Sequence, residues 1–292
     1  MSTFVLLTIT GLGLGAMYFL IASGLSLIYG LMGVLNFAHG ALLTVGAYAT
    51  WWTSTKVDGS VGAKLLVGAV AGLAVGAVLA ALIELVLIRP LYRRPVEQVL
   101  VTVGLAFVLN ALVEAIWGFD ARPFPVPGWM IDTTSVLGAS IPNDRFVEIA
   151  TAALVLVGLT AFLRYTRYGL IIRAGVENRA MVTALGIDVR KSFTLVFMIG
   201  GLAAGIAAVL YTLYSTTIDP QQGTSLVIFA FIVVVIGGLG SIRGTLWAAV
   251  LVGLVQQYAN YYASSGLGDL SVVLLLGIIL IVRPGGFSRS FA

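Results

Sequence analysis

The amino-acid sequence predicts an all-α polytopic membrane protein with eight or nine transmembrane helices, and three observations favour this fold class. Hydrophobic residues make up 60% of the 292 residues and charged residues only 10%, with a mean hydropathy of +1.07. Soluble domains usually contain about 25% charged residues. The apolar runs are continuous over roughly 17 to 25 residues, which suits helices, whereas strands of a membrane barrel have about 10 residues of alternating polarity.

Glycine spacing supports a compact bundle of these helices. The chain has 35 glycines, and many are four residues apart, as in Gly68, Gly72 and Gly76 and again in Gly201 and Gly205. Small residues at this spacing let the backbones of membrane helices approach closely. We therefore predict tight helix crossings within a single transmembrane domain that covers residues 1–292.

The composition also limits the classes of function. A net charge of +4 reflects, in a membrane protein, basic residues kept on the cytoplasmic side, so we do not expect nucleic-acid binding. The absence of cysteine excludes disulfides, thiolate metal sites and a cysteine nucleophile. The start of the chain, MSTFVLLTITG, lacks the basic region and cleavage site of a signal peptide, so we expect it to remain as the first span.

The first half of the chain contains four predicted spans, at residues 4–29, 36–52, 65–88 and 98–117. No charged residue occurs between Met1 and Thr55, although the stretch GLMGVLNFAHG interrupts the first two runs. Irregular backbone at membrane depth is tolerated only where it is buried in protein or lines a cavity. We therefore predict that this break lies within the membrane rather than in an exposed turn.

The second half begins with a predicted outer loop at 119–145, where DARPFPVPGW is punctuated by proline. Five further apolar runs follow, at residues 146–163, 193–214, 226–236, 245–262 and 270–282. Counting every run as a crossing gives nine spans, and eight remain if one broken segment is re-entrant.

Basic residues determine the predicted orientation, because arginine and lysine collect on the cytoplasmic side of membrane proteins. An outside N-terminus and an inside C-terminus place the larger group of basic residues inside: Arg89, Arg93, Arg94, Arg164, Arg167, Arg173, Arg179, Arg190, Lys191, Arg283 and Arg289. The smaller group then lies outside: Lys56, Lys64, Arg122 and Arg145. Arg243 is left unassigned.

The cytoplasmic loop at 164–191 carries six of the 16 basic residues. Residues from about 172 to 185 suit a helix, with Ala174, Ala180 and Ala184 among the good helix formers, and Gly186 follows where a left-handed cap would lie. A Gly-capped amphipathic helix in such a loop indicates a docking element for a partner.

Two glycine-rich breaks are candidates for a translocation path. The spacing Gly33-x2-Asn36-x2-His39-Gly40 can be aligned with Gly237-x2-Gly240-x2-Arg243-Gly244. Paired glycine-interrupted segments in the two halves of a transporter indicate its binding site, whereas tight helix packing or coincidence is the alternative. The predicted path or gate residues are Asn36, Phe37, His39, Gly40, Gly237, Gly240, Ser241 and Arg243.

Each ionisable residue in these apolar runs has both a functional and a structural interpretation. His39, the only histidine, is either a polar gate residue or a side chain satisfied by a backbone carbonyl, and a single histidine without nearby carboxylates does not predict a metal site. For Glu84, near Arg89, and Glu114, which shares a face with Asn110, we favour structural pairing over a proton relay. The sequence has no GxxxxGK[ST], GxSxG or HExxH motif, so neither an ATPase nor another enzyme is predicted.

Four segments carry a resemblance to a known family. These are LSLIYGLMGVL followed by NFAHG at 36–40, RAGVENRAMVTALGI at 173–187, GGLGSIRG at 237–244, and RPGGF near the C-terminus. With them the chain resembles the LivH-type permease subunits of ATP-driven ABC importers for branched-chain and other hydrophobic amino acids. The resemblance covers nearly the whole chain.

The resemblance implies a type II-like ABC importer permease bundle with an inverted pseudo-repeat, in a bacterial plasma (inner) membrane. The implied partners are a second homologous permease chain, two cytoplasmic ATPase subunits that bind ATP and Mg, and an extracytoplasmic solute-binding protein; this chain would bind no cofactor. Coupling to an ATPase subunit would involve Arg173, Glu177, Asn178, Arg179, Ala184, Gly186 and Ile187.

Three alternatives remain open from the sequence. Related permeases for urea or short amides share the same motifs, so the solute is less secure than the architecture. A proton-coupled secondary carrier would use Glu84 or Glu114 and would work without partners. A membrane scaffold or receptor subunit would bind partners through the 164–191 loop without moving a solute.

Overall fold

The structure, a computed structural model, describes residues 2–92, 94–187, 189–263 and 266–287; Arg93 and Arg289 lie outside this range, as do the side chains of residues 176, 177, 179, 180 and 189. Within these residues the chain is a helical bundle. Its helices are α1 (Ser2–Met32), α2 (His39–Lys56), α3 (Val61–Leu82), α4 (Pro95–Trp117), α5 (Gly128–Ile131), α6 (Asn143–Tyr165), α7 (Arg167–Ala184), α8 (Val189–Ser215), α9 (Gln222–Gly237), α10 (Ile242–Tyr262) and α11 (Leu267–Val282).

In the described part of the chain, five helices are long and apolar enough to cross a membrane: α1, α3 with its extension to Leu91, α4, α6 and α8. The pair α9 and α10, bent by 119° at residues 238–241, adds a sixth if it is counted as one span. Helix α11, at 16 residues, is apolar but short. These helices confirm the all-α polytopic class, and the count of eight or nine spans stays a prediction.

Helices α1–α3 and α8–α10 form two halves that pack in the same way. Helix α1 packs along α10 as α8 packs along α3, and α2 packs on α8 as α9 packs on α1. The two halves are inverted, because α1 and α8 are antiparallel: Phe19 lies in one hydrophobic cluster with Leu213, whereas Ile28 lies in the other with Phe193. The bundle is therefore an inverted pseudo-repeat, as the family resemblance implied.

The predicted close crossings are present at the small residues. A β-carbon built on Gly76 of α3 would stand 2.7 Å from the carbonyl oxygen of Gly201 on α8, and one built on Gly205 would stand 3.0 Å from the Cα atom of Leu73. No side chain larger than hydrogen fits between these backbones without displacement. Glycine at these positions is what allows α3 and α8 to pack along most of their length.

The two ends of the bundle differ. We call the end where α7 packs against α1 and α8 the α7 end, and the opposite end the hairpin end, because strands β2 (Thr133–Val136) and β3 (Ala139–Pro142) form an antiparallel hairpin there. Strand β1 (Arg122–Pro123) pairs with β4 (Thr217–Ile218) at the hairpin end. The segment at 119–145, predicted as an extended loop, thus contains a hairpin and the short helix α5.

A buried ion pair lies where β3 joins α6. Arg145, predicted as an outer basic residue, is only 9% exposed, and its Nη1 atom donates to Glu148 at 3.1 Å while its guanidinium lies over the ring of Tyr214 at 4.1 Å. A charge in an apolar surrounding is stabilised only if it is paired and hydrogen-bonded. Sequence position alone did not indicate that Arg145 turns inward.

At the α7 end, α3 continues through a π-helical turn (Ile83–Ile88) and a 3-10 turn (Arg89–Leu91). Glu84, fully buried, accepts hydrogen bonds from Arg89 Nη2 at 3.2 Å and from the Thr194 hydroxyl of α8 at 2.6 Å, and it also bonds the Tyr92 hydroxyl. The predicted pairing of Glu84 with Arg89 is confirmed. The cluster ties the end of α3 to the start of α8.

Candidate translocation path and coupling helix

The first break, at residues 33–38, is an ordered turn inside the protein. The Asn36 side chain is fully buried, and its Oδ1 atom accepts a hydrogen bond from the Ala38 amide at 3.1 Å while its carbonyl accepts one from the His39 amide at 3.2 Å. An asparagine side chain that bonds the backbone two residues on stabilises such a turn. The Phe37 amide donates to the Thr102 hydroxyl of α4 at 3.3 Å, which holds the break against a second helix.

Helix α2 begins well inside the bundle rather than at its surface. The His39 ring, fully buried, lies with Nε2 3.2 Å from the Ile21 carbonyl of α1. Ile21 precedes the end of α1 at Met32 by about 16 Å of helix at 1.5 Å per residue. After α1 ends, residues 33–38 therefore return the chain towards the interior before α2 starts.

The surroundings of His39 agree in part with the structural interpretation, in which a backbone carbonyl satisfies the histidine ring. One ring nitrogen meets the Ile21 carbonyl, as in a histidine satisfied by the backbone, but among the described residues Nδ1 has no partner. The side-chain amide nitrogen of Asn36 is unpaired in the same sense. The described residues contain no group of metal-ligating side chains, so two unsatisfied polar atoms, rather than a metal site, mark this break.

Helix α9 also begins inside the bundle, against α2. A β-carbon built on Gly40 would stand 2.9 Å from the carbonyl carbon of Gly223, and the Gly223 amide donates to the Thr44 hydroxyl at 3.2 Å. Further along, the rings of Phe37 and Phe231 pack with centroids 4.7 Å apart. The N-terminal ends of α2 and α9 thus pass each other, antiparallel, in the interior.

This crossing has the electrostatic character of a transport site. Helix N-termini carry a partial positive charge because their first amide groups lack helical acceptors. In transporters, half-helices that start within the membrane direct these ends towards polar solute groups. The crossing of α2 and α9 is therefore the best candidate for the narrow part of a path.

The structural repeat corrects the predicted alignment of the two breaks. Because α2 corresponds to α9, the break at 33–38 corresponds to residues 216–221, not to Gly237–Gly244. The spacing of glycines suggested the wrong partner because both segments contain a turn with small residues. Sequence reasoning missed Gln222 and Gly223, although the polar run DPQQGTS between apolar runs was a usable signal.

The second predicted break, Gly237–Gly244, lies at the α7 end, where a turn at 238–241 joins α9 to α10. A β-carbon built on Gly30 would stand 2.9 Å from the Cα atom of Gly240, so the end of α1 rests on this turn. Ser241 caps α10 by accepting a hydrogen bond from the Gly244 amide at 3.1 Å, and Arg243 is exposed. The predicted path residues therefore fall into two groups: Asn36, Phe37, His39 and Gly40 in the interior, and Gly237, Gly240, Ser241 and Arg243 at the α7 end.

Helix α7 forms most of the charged loop, and its two ends are capped. The Thr166 hydroxyl accepts from the Gly169 amide at 2.9 Å, and Gly186 adopts the predicted left-handed conformation, with φ +78°, while its amide donates to the Thr183 carbonyl at 3.0 Å. The predicted C-terminal glycine cap is confirmed.

A kink divides α7, which was predicted as one helix from about 172 to 185. Asn178 has non-helical backbone angles (φ −154°, ψ 90°), and its Oδ1 atom accepts from the Met181 amide at 2.9 Å. This is the arrangement of an N-cap. The last turns of α7 are therefore a short helix with its own start.

The tip of α7 presents apolar side chains to the outside of the bundle. Met181 is 61% exposed and Leu185 is 69% exposed, whereas Val182 is buried in the cluster that contains Phe193. The described residues that were predicted to couple to an ATPase subunit are also exposed: Arg173, Asn178, Ala184, Gly186 and Ile187. The side chains of Glu177 and Arg179 lie outside the described part.

Comparison with known proteins gives a consistent assignment. Residues 7–283 match the family described as branched-chain amino acid transport system / permease component. The chain is 30% identical over 286 residues to the high-affinity branched-chain amino acid transport system permease protein LivH of Escherichia coli K12, covering 94% of this chain and 92% of the relative. It is equally, 30%, identical to BraD of Pseudomonas aeruginosa, covering 95% and 93%.

A more distant relative is the fructose import permease protein FruF of Bifidobacterium longum, 28% identical over 85% of this chain and 69% of the relative. No solved structure matches the chain. These relatives are permease proteins of transport systems and not enzymes. The chain is thus a multi-pass membrane protein and belongs to the family of branched-chain amino acid transport system permease components.

Proposed function

We propose that this chain forms the translocation path of an ATP-driven importer for branched-chain or other hydrophobic amino acids. The observation that carries the proposal is the meeting of two helix N-termini, at Gly40 and Gly223, inside an inverted repeat. The names of the LivH and BraD relatives support the solute class. The path would run from the hairpin end, past this crossing, to the α7 end.

The proposed complex contains a second homologous permease chain, two ATPase subunits that bind ATP and Mg, and a solute-binding protein. The sequence has no phosphate-binding loop of its own, so the energy must come from partners. The exposed apolar tip of α7, with Met181 and Leu185, suits insertion into a cleft of an ATPase subunit. On a part of the protein that lies outside the membrane, as proposed for α7, exposed apolar side chains are typical of a protein contact surface.

The proposed orientation places the α7 end in the cytoplasm, the N-terminus outside and the C-terminus inside. The described basic residues at the α7 end are Arg89, Arg94, Arg164, Arg167, Arg173, Arg190, Lys191, Arg243 and Arg283. Those at the hairpin end are Lys56, Lys64, Arg122 and Arg145, of which the last is buried in an ion pair. This distribution agrees with the rule for cytoplasmic basic residues.

Contacts of α7 support a role in transmitting force to the proposed path. A β-carbon built on Gly175 would stand 3.1 Å from the Leu31 side chain of α1, one residue after Gly30, which rests on Gly240. Movement of α7 would therefore act on the α1 end and on the turn between α9 and α10. ATP-driven closure of the ATPases would then favour one of two bundle arrangements.

Reconstitution tests the proposal. The complete complex in liposomes is expected to take up L-leucine in an ATP-dependent manner, and this chain alone is expected to take up none. Gly186→Pro, or charge reversal at Glu177 and Arg179, should abolish uptake while membrane insertion stays normal. Uptake of L-leucine by the isolated chain under a proton gradient would contradict the proposal and support a secondary carrier instead.

Structural pairing of the acidic residues disfavours that carrier. Glu84 is bonded to Arg89 and Thr194, and Glu114 accepts a hydrogen bond from the Gln221 side chain of the segment before α9. A proton-relay carboxylate needs to exchange protons with a water-filled path. Glu84 lies at the α7 end, away from the crossing of α2 and α9, and Glu114, near the start of α9, already accepts a hydrogen bond from the protein.

A further inference from the structure

A small polar cavity lies at the hairpin end, between the end of α8 and the start of α9. Its volume is about 230 Å³, and it is lined by Tyr211, Ser215, Thr217, Asp219, Gln222 and Ser225. This is below the roughly 300–1,000 Å³ of pockets that hold drug-sized ligands, so the cavity suits a molecule no larger than a small metabolite. We call it the α8–α9 pocket.

Two polar groups of the α8–α9 pocket have unused bonding capacity. Gln222 is 5% exposed; its Oε1 atom accepts from the Asp219 amide at 3.3 Å, but its Nε2 atom has no partner among the described residues. A buried donor without an acceptor is costly, and because Gln222 lines the cavity, a ligand there that supplies an acceptor would relieve this cost.

Asp219 provides a negatively charged acceptor in the same pocket. One carboxylate oxygen accepts from the Gln221 amide at 2.7 Å, and within the described part of the chain Asp219 forms no ion pair. Asp219 is half-buried and lines the cavity, so its carboxylate can take a cationic group there. The pocket therefore offers a negative group for a cation beside an amide donor for an anion.

We propose that the α8–α9 pocket binds the head group shared by free α-amino acids, with Asp219 taking the ammonium group and Gln222 Nε2 donating to the carboxylate. The inference rests on the proposed import of amino acids and assigns a location to the solute on its way in. Gly223, next to Gln222, lies against Gly40 and Thr44, so the pocket is one residue from the crossing of α2 and α9. The side chain of the solute extends away from the polar wall, so this pocket selects amino acids as a class rather than one side chain.

Thiol protection in the cysteine-free chain tests the pocket directly. Ser225→Cys places a reactive group in the wall, and Ser135→Cys in the exposed hairpin is the matched control. Both variants are prepared in the full complex in lipid nanodiscs and labelled with a methanethiosulfonate reagent. We expect L-leucine and L-alanine to slow the labelling of Ser225→Cys several-fold and to leave Ser135→Cys unchanged.

Partial ligands and a second substitution identify the groups. Both 3-methylbutylamine, which lacks the carboxylate, and 4-methylpentanoate, which lacks the ammonium, should protect much less than L-leucine. Asp219→Asn should remove the protection, whereas Asp120→Asn, an exposed residue at the same end, should keep it. Equal labelling rates without ligand in the two backgrounds show that the pocket is intact.

The inference is wrong if neither amino acid protects Ser225→Cys, or if protection is unchanged in the Asp219→Asn background. It is also wrong if sodium chloride protects fully where choline chloride does not, because the pocket would then be a cation site. ATP-dependent uptake is measured with the same complexes in liposomes. Uptake of L-leucine without protection of Ser225→Cys would contradict the proposed binding site but not the proposed function. Protection without uptake of any amino acid would contradict the proposed transport of amino acids but support their binding in the α8–α9 pocket.

Discussion

Gly40 of α2 and Gly223 of α9 lie so close together that a β-carbon built on Gly223 would stand 2.7 Å from the carbonyl carbon of Gly40. The contact joins the starts of two helices that belong to opposite halves of the repeat. Because both helices begin inside the bundle, any rotation of one half relative to the other must change this contact. In the proposed transport cycle, it is therefore the contact where helix packing would most directly affect gating.

The first prediction concerns this contact. Gly223→Ala should lower the free energy of unfolding by about 1–3 kcal/mol, the usual cost of overpacking, and should reduce uptake. Gly158→Ala on α6 is the matched control, because a β-carbon there meets nothing within 4 Å. Thermal unfolding in detergent measures both variants. Equal melting temperatures for the two would show that the crossing is loose.

The second prediction compares a buried with an exposed ion pair. Glu84→Ala removes the carboxylate that pairs with Arg89, although Arg89 Nη2 still reaches the Thr194 hydroxyl at 2.9 Å, and should destabilise the protein by about 2–3 kcal/mol, less than a fully buried pair since the Arg89 side chain is 35% exposed. Glu97→Ala removes the pair with Arg94, whose side chain is 67% exposed, and should cost less than about 1 kcal/mol. Chemical unfolding of the purified protein separates the two, and similar losses would contradict the structural role of Glu84.

The third prediction concerns the kink in α7. Asn178→Ala removes the side-chain acceptor for the Met181 amide, which should weaken the last turns of α7 by about 1 kcal/mol, the usual value of an N-cap. We expect reduced ATP-dependent uptake with normal assembly, and rescue by Asn178→Asp, which keeps an acceptor. Full activity of Asn178→Ala, measured by uptake per ATP hydrolysed, would show that the cap is not needed for coupling.

The fourth prediction uses cysteine accessibility along the proposed path. Arg243→Cys, exposed at the α7 end, should react with water-soluble reagents in every nucleotide state. Cysteine at Asn36, Phe37 or His39 should react in only some states, because Asn36 and His39 are fully buried here. Labelling with and without ATP and vanadate makes the comparison. Protection of the three interior positions in all states would argue against a path at this break.

The fifth prediction tests the orientation. Leu137, 82% exposed in the turn of the hairpin, and Leu185, 69% exposed after α7, lie at opposite ends of the bundle. In intact cells an impermeant thiol reagent should label Leu137→Cys and should reach Leu185→Cys only after the membrane is permeabilised. The reverse pattern would invert the topology and remove the proposed contact with cytoplasmic ATPases.

Features that depend on local chemistry could be predicted from the sequence. The Gly186 cap and the pairing of Glu84 with Arg89 involve neighbours in the chain, and continuous apolar runs indicated the membrane class. The kink at Asn178 was also local, but its alanine-rich surroundings favoured an unbroken helix. The role of the start of α9 was missed because it depends on a contact with a residue 179 positions away: the Gly223 amide donates a hydrogen bond to Thr44.

The burial of the charged Arg145 side chain could likewise not be predicted from the sequence. Arg145 follows a polar stretch and would ordinarily be solvated, yet it turns inward to Glu148 because α1 presents a glycine there. A β-carbon built on Gly13 would stand 2.8 Å from the Arg145 side chain. Only the fold brings Gly13 next to this ion pair.

The π-helical turn at Ile83–Ile88 has a consequence for protein engineering. A π turn accommodates one residue more than an α turn, which is why Glu84 and Arg89, five positions apart, face the same direction. Deleting one residue between Glu84 and Arg89 would restore regular α geometry and bring the two to a spacing of four, which lies on one face of an α-helix. Because the π turn absorbs the extra residue, the helix beyond it would keep nearly the same phase, so we expect this deletion to be tolerated better than one elsewhere in α3.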